Sequence, residues 1–311
     1  MLGTALFVEN LPRVTARDNE ILIDVLYSRV NLADLKIVHF LNYRSSVPET
    51  DFCGQILDCS ALVNSEFEVS DIVAGQTVPQ GDQSKEYGSH KPRLSTPQTH
   101  SDAAAITTVS HTASDALYNN FELPLPGSSS HVVGGTLVLA RTSGITNIIT
   151  TASPSRHDLL RGLGATECFD YKDANVSDKV KQSVIKAGRS RVWGFETSGS
   201  PESSQLLLDA LYGIAGDVQY SWVNAAGAQR PPIEAVLGTR DYEIVFEVPG
   251  DRHVIPAEPE KAANMWAALD LAVKIPVVRV FEGTGEEALE EMASVSKQGA
   301  FGKLVLKQPL Q

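Results

Sequence analysis

Cysteine, methionine and tryptophan are scarce in this chain, three of each among 311 residues. Cys53, Cys59 and Cys168 are scattered and odd in number, which excludes a disulfide framework and a four-cysteine zinc cluster and suits a reducing cytosol. The seven histidines, at 39, 90, 100, 111, 131, 157 and 253, form no His-x-x-His or His-x-x-x-His pair, so each reads as a solvated or hydrogen-bonded structural residue. No metal site is expected. A hydrolase's Gly-x-Ser-x-Gly elbow is also missing. Positive charge is in deficit, 26 Lys and Arg against 38 Asp and Glu for a net charge of -12, which argues against nucleic acid as a partner. No apolar run approaches the ~20 residues of a membrane span. The opening Met1-Leu-Gly-Thr-Ala-Leu-Phe-Val8 has no basic region and soon meets Glu9 and Asn10, so it reads as a strand rather than a signal peptide.

What is present is enough apolar residue, 42%, for substantial cores, in a length that suits two domains. From Ala5 to about Pro97 short alternating strands, such as Glu20 to Leu26, Gln55 to Leu57 and Asp71 to Ala74, indicate a small β-rich domain. Residues 80 to 98 are almost wholly polar and read as an exposed loop. Beyond Ser101 helices alternate with strands. Asp102 to Phe121 is helical, and strands are expected at 192–196, 217–221 and 242–246. That alternation argues for an α/β fold with a parallel sheet. After about Pro249 the pattern predicts a helix around Met265 to Val273, a strand at 277–281, a helix at 286–296 and a strand at 303–306.

The most informative stretch is Ile145 to Tyr171. The β-branched run Ile145 to Ala152 reads as a buried strand, Pro154 as a turn, Asp158 to Gly164 as a short helix, and Phe169-Asp170-Tyr171 as the end of a second strand. In nucleotide-binding sheets the residue closing such a strand meets the adenosine ribose. A carboxylate there suits the 2'-hydroxyl of NAD, and neutral or basic groups admit the 2'-phosphate of NADP. Ser153 holds that place, with Arg156 just after it and Tyr171 at the neighbouring strand end.

The preceding strand and its phosphate-binding glycine turn are abbreviated. Leu123-Pro-Leu-Pro126 runs directly into Gly127-Ser-Ser-Ser-His-Val-Val-Gly-Gly135, about a dozen residues short of a typical strand with its lead-in. Two readings stand. Either a Ser-rich phosphate turn precedes a helix from Val132 to Arg141, or Gly135 to Ala140 is a replacement strand.

These residues carry a family resemblance. Ser153-Pro154, Asp158-Leu159, Leu163-Gly164-Ala165 and Phe169-Asp170-Tyr171 resemble the corresponding turn of the medium-chain dehydrogenase/reductase superfamily. The nearest likeness is to its zinc-free, quinone-oxidoreductase-like branch and the fungal trans-acting enoyl reductases that serve polyketide synthases. Val30-Asn31 to Lys36, Asp51-Phe52-Cys53-Gly54, Val69 to Gly75, Leu123 to Pro126 and Gly302 to Val305 resemble further landmarks. The resemblance implies a GroES-like β-rich catalytic domain over 1–105, to which 250–311 returns, and a Rossmann-type dinucleotide-binding domain over 106–249 with a truncated first strand. It implies NADPH-dependent reduction of an activated carbon–carbon double bond, on a small-molecule or carrier-bound acyl substrate, in the cytoplasm and with a polyketide synthase as partner. The alternative is a redox-silent relative, with its dinucleotide site lost, acting as a cyclase or binding partner. By resemblance the catalytic candidates are Lys36, for a developing enolate; Thr112, facing the nicotinamide; and Asn31, with Asp34 and Asp51 nearby. Cofactor candidates are Ser129, Ser130, Val132 and Gly134 in the phosphate turn, Ser153, Arg156 and Tyr171 at the ribose, and Thr197 in Glu196-Thr-Ser-Gly-Ser-Pro201, where relatives usually carry Asp at the place of Glu196.

Overall fold

The computed structural model describes residues 8, 14–16, 18, 20–31, 51–62, 67–76, 99–127, 132–133, 136–223, 233–248, 251–274, 278–298 and 302–310. The chain divides into two compact units. One comprises Met1–Val109, Asp241–Ala257 and Ala272–Gln311; the other comprises Ser110–Arg240 and Glu258–Leu271. The sequence reading assigns all of 250–311 to the β-rich domain, whereas the helix Pro259–Leu271 groups with the second unit. The expected loop at 80–98 and the first strand near Ala5 to Phe7 lie outside the described residues.

The first unit is built on a five-stranded sheet in the order Val278–Phe281, Lys303–Lys307, Leu22–Val30, Asp51–Asp58, Ile72–Gln76. The first pair is parallel and the remaining pairs are antiparallel. Apolar residues recur at Ala288, Leu289, Met292 and Val295 of the helix Gly285–Gln298, the spacing that puts them on one face. That face packs with Val30, Leu304 and Leu306. The helix begins in a capping box: Thr284 Oγ1 accepts from the Glu287 N–H at 3.2 Å, and Glu287 Oε2 accepts from the Thr284 N–H at 2.9 Å. A second cluster gathers Ile21, Phe52, Ile56 and Val73.

One strand is misplaced by its pattern. Residues 242–246 are predicted in the parallel sheet, but Ile244–Val248 pairs antiparallel with Asp251–Ile255 and belongs to the first unit. Periodicity marks a segment as extended and says nothing of its partner, and the neighbouring Asp251–Ile255 makes the local hairpin.

The second unit carries the parallel strands, in two sheets. Ile149–Thr151 pairs with Glu167–Phe169, and Arg191–Glu196 pairs with Asp217–Trp222, which pairs in turn with Ile233–Ala235. Doubly wound dinucleotide folds order their strands 3-2-1-4-5-6. In chain order the two sheets match strands 2 and 3 and strands 4 to 6 of that fold. Val132–Val133 is the strand preceding Thr136–Thr142 in the chain, and it joins neither parallel sheet. The helix expected from Val132 therefore begins at Thr136, and the alternative strand over Gly135 to Ala140 is overturned. Two adjacent β-branched valines favour extended backbone, and Gly134-Gly135 is a poor helix start.

Two apolar clusters hold this unit. Leu139 and Ala140 pack with Ala113, Leu117, Tyr118, Phe121 and Ala268, with Ile145 and Ile148 just before the strand Ile149–Thr151, and with Trp193 and Phe195 of the strand Arg191–Glu196. Val176, Val180 and Ala210 pack with Ile149, Phe169 and Leu206, joining the helices Val176–Ala187 and Pro201–Leu211 to the first of those sheets.

Candidate functional site

In the second unit the strand ends come together at one edge. Thr151 and Phe169 are register partners in a parallel pair, and the Ala152 N–H donates to the Phe169 carbonyl at 2.9 Å, so the ladder runs to the threshold of both turns. Ser153 leaves the strand with extended backbone (φ -60°, ψ 139°) and precedes the 3-10 turn Pro154–Arg156, closed by the Arg156 N–H to the Ser153 carbonyl at 2.9 Å. Its side chain makes no capping bond to that turn. Arg156 is half-buried, and Tyr171 is 47% exposed with the Lys172 ammonium 5.7 Å from its ring centroid. The strand pairing thus brings Ser153, Arg156 and Tyr171 to the same edge. A neutral hydroxyl, a forked cation and a phenol suit a phosphate better than a bare ribose diol.

The second turn at a carboxyl strand end is organised by Glu196. This carboxylate, 4% exposed, accepts from the Ser198 N–H at 2.7 Å, the Ser198 hydroxyl at 2.8 Å and the Gly199 N–H at 3.0 Å, with the Ser203 hydroxyl as a further donor. Ser200 then caps the helix Pro201–Leu211 by accepting from the Ser203 N–H at 3.2 Å. Thr197 sits exposed at the head of this turn. Ser198 and Ser203 as partners of Glu196 are missed by the sequence reading; the Glu followed by a Ser-rich turn was the available signal.

In the first unit Asn31 and Asp51 belong to one buried cluster. Asp51, 1% exposed, accepts from Arg29 Nη1 at 2.8 Å, Asn31 Nδ2 at 3.0 Å, the Thr108 N–H at 3.0 Å and the Thr108 hydroxyl at 2.6 Å. Arg29 faces Asp51 across the strand pair, and Asn31 follows two residues on, on the same side. The Asn31 amide is therefore held by a carboxylate. Arg29 and Thr108 went unmarked in the sequence, because a pair that is remote in the chain leaves no local pattern. Burial alone pushes the neighbouring Cys53 thiol up to about 12, so it is neither a nucleophile nor a ready thiolate ligand near neutral pH. Burial likewise raises Cys168, with the charge of Arg161 opposing it. Among the described residues no group of three His, Cys, Asp or Glu could hold a metal ion.

A second buried carboxylate anchors the other unit. Asp115 opens a six-residue π-helical turn, Asp115–Asn120, continuing the helix His100–Ser114. It accepts from Arg240 Nε at 2.6 Å and Nη2 at 2.9 Å, from the Leu237 N–H at 2.8 Å and from Asn119 Nδ2 at 2.7 Å. Arg240 also pairs with Glu258. Thr112 lies half-buried one turn earlier, in the second unit. Of the other candidates, Lys36, Asp34, Ser129, Ser130 and Gly134 lie outside the described residues, and Val132 is described in its backbone alone.

Against solved structures, the chain superposes on the enoyl reductase cyclopropanase CurF of the curacin A pathway with a TM-score of 0.66 at 18% identity, over 96% of this chain and 94% of that one. The likeness is one of fold. Among curated sequences the chain is similar to fungal trans-enoyl reductases. The chain is 26% identical over 325 aligned positions to the trans-enoyl reductase resD of Aspergillus sclerotiorum, covering 91% of this chain and 90% of that one. It is 29% identical to the trans-enoyl reductase ACTTS2 of Alternaria alternata over 56% of this chain and 57% of the relative. It is also 29% identical to the dual trans-enoyl reductase/FAD-dependent monooxygenase tazHJ of Aspergillus terreus, over 58% of this chain and 27% of the relative. The matches to ACTTS2 and tazHJ thus span about half and about a quarter of those relatives' own lengths. No protein-family model matches the chain.

Proposed function

We propose that the protein is a zinc-independent, NADPH-dependent enoyl reductase acting in trans for a polyketide synthase in the cytoplasm, with the unit of Ser110–Arg240 and Glu258–Leu271 as its dinucleotide-binding domain and the unit of Met1–Val109, Asp241–Ala257 and Ala272–Gln311 as its GroES-like catalytic domain. The observation that carries this reading is the paired strand ends that Ser153, Arg156 and Tyr171 follow, in a chain similar to the trans-enoyl reductase resD along most of its length. When bound, NADPH supplies a hydride for the β-carbon of an activated alkene.

The chain's own work is binding and orientation. Arg156 forks onto the 2'-phosphate while the Ser153 and Tyr171 hydroxyls donate to it. Ser129, Ser130, Val132 and Gly134 are the candidates for the pyrophosphate, which their hydroxyl and backbone N–H groups would meet. Glu196 holds Thr197 in place for the cofactor. Lys36 would donate to the enolate oxygen as its charge develops, with Asn31, steadied by Asp51, beside it in the chain as a further catalytic candidate, and Thr112 is the candidate for the nicotinamide.

Affinity for the two cofactors tests the reading. A charge-assisted phosphate contact is worth about 1.5–3 kcal/mol, so Arg156→Ala should weaken NADPH by about tenfold to a hundredfold and leave NADH nearly unchanged, read by calorimetry. Equal losses for both would mark Arg156 as structural. One tightly held zinc per chain on elemental analysis would overturn the zinc-independent part.

The second reading, a redox-silent relative acting as a cyclase or binding partner, is favoured by the parallel strands forming two separate sheets among the described residues. It prevails if wild type binds neither nucleotide.

A further inference from the structure

The strands Arg191–Glu196 and Asp217–Trp222 end side by side, with Glu196 and Trp222 as register partners. Partners in a parallel pair point to one face of the sheet. Phe195 and Ser221, one residue earlier in each strand, point to the other face, where Asn120 Nδ2 donates to the Ser221 hydroxyl at 2.8 Å. Glu196 and Ser221 are thus both engaged, the first by Ser198, Gly199 and Ser203 and the second by Asn120.

Trp222 is the exception at this carboxyl end. Its side chain is covered, the residue being 2% exposed, and its Nε1–H meets no hydrogen-bond acceptor among the described residues. In the same sheet Trp193 Nε1 donates to Gln219 Oε1 at 3.0 Å. A covered N–H without an acceptor costs stability, and the carboxyl end of a parallel strand is where a ligand can supply one.

The neighbours of Trp222 decide which acceptor fits. Dinucleotide folds are built from two mononucleotide-binding halves, with the ligand outside the carboxyl ends of the strands. Ser153, Arg156 and Tyr171 follow the first parallel sheet and suit the adenosine phosphate. The second sheet, ending at Glu196, Trp222 and Ala235, falls to the other nucleotide. A phosphate is unsuited to this end, because the Glu196 carboxylate stands beside Trp222 and already occupies the N–H groups of Ser198 and Gly199. A lone N–H next to an acid suits a neutral carbonyl oxygen.

We infer that Trp222 positions the nicotinamide, its indole N–H donating to the carboxamide oxygen. The inference rests on the NADPH reading above for the identity of the ligand. Because the indole is covered, the bond forms as the strand end opens around the ligand rather than at first encounter.

Binding, not turnover, tests it. Calorimetry compares three ligands on wild type and Trp222→Phe: NADP+, its 3-aminopyridine analogue, which lacks the carbonyl, and 2',5'-ADP, which lacks the nicotinamide half. The substitution should weaken NADP+ by about fivefold or more and leave the other two unchanged. Equal losses for NADP+ and the aminopyridine analogue would make Trp222 structural and overturn the inference. Wild type labelled with [15N]tryptophan decides the point even if the variant misfolds. Of its three indole N–H resonances, that of Trp222, found by elimination with Trp193→Phe and Trp266→Phe, should move downfield with NADP+ and hardly at all with the analogue. A resonance that stays in place with NADP+ overturns the inference as well. Wild type that binds NADP+ no better than 2',5'-ADP does the same while sparing the Arg156 site, whereas failure to bind any of the three sinks the NADPH reading itself.

Discussion

Asp51 shows how much a single buried side chain carries. Its carboxylate accepts four hydrogen bonds, one of them from Arg29, whose side chain is 3% exposed. Asp51→Asn takes the charge from a buried acceptor that four donors share, so it should destabilise the protein by about 3 kcal/mol or more. Asn31→Ala removes one neutral donor and should cost about 1 kcal/mol. Chemical denaturation of both variants measures the contrast, and similar losses would mean that Asp51 does not act as the hub. Acid should act through Glu258. Burial opposes its ionisation, but the hydrogen bond from Lys261 and the charge of Arg240 outweigh that and hold its carboxyl below the ordinary glutamate range. A folded-state value below the unfolded one contributes stability above the ordinary range, and that stability disappears as pH falls through the lowered value. Glu258→Gln should therefore flatten the acid limb of a stability–pH curve and leave its neutral plateau lower. A limb unchanged in shape would discharge Glu258 from that role.

At the scale of elements, Gly216 decides whether the strand Asp217–Trp222 can start where it does. Its φ is +111°, and a Cβ there would lie 2.4 Å from the Ser190 carbonyl oxygen, which accepts from the Asp217 N–H at 2.8 Å. Gly213, at φ +72°, has open space around it. Gly213→Ala should cost about 1 kcal/mol for the left-handed backbone alone, and Gly216→Ala about 2–4 kcal/mol because overpacking adds about 1–3. Equal melting shifts would refute the steric account. Most elements were legible from period and punctuation: the helix Gly285–Gln298 from its apolar stripe, and the turn at Ser153 from Pro154 after a β-branched run. What was hidden depended on distant partners. The eight-residue run Ile145 to Ala152 pairs as a strand over Ile149–Thr151 alone, because its partner Glu167–Phe169 is equally short. The π-helical turn at Asp115 is sustained by Arg240, Leu237 and Ser221, and no local pattern announces them. That Ser153, Arg156 and Tyr171 fall just after two paired strands was legible, because Pro154 punctuates the first of them locally. The Arg29–Asp51–Thr108 cluster was not, since cross-strand register assembles it.

For the whole molecule, the order of the five-stranded sheet matters more than its size. Lys303–Lys307 lies inside it, between Val278–Phe281 and Leu22–Val30, with Leu304 opposite Val30. Deleting 303–310 should abolish hydrogen-exchange protection in Leu22–Val30 and Val278–Phe281 while sparing Arg191–Glu196 and Asp217–Trp222, which pair within the other unit. Uniform loss of protection would show that the units fold as one. The same arrangement has a consequence in time. During synthesis at about 5–20 residues per second, the strand Leu22–Val30 leaves the ribosome on the order of 15–60 s before the strand that will cover its flank. The second unit's parallel strands are made within that interval and can pair without waiting. Until the closing strand arrives, one edge of Leu22–Val30 stays open to any extended peptide in the cell, so the yield of this protein should depend on chaperone supply more than its finished stability would suggest.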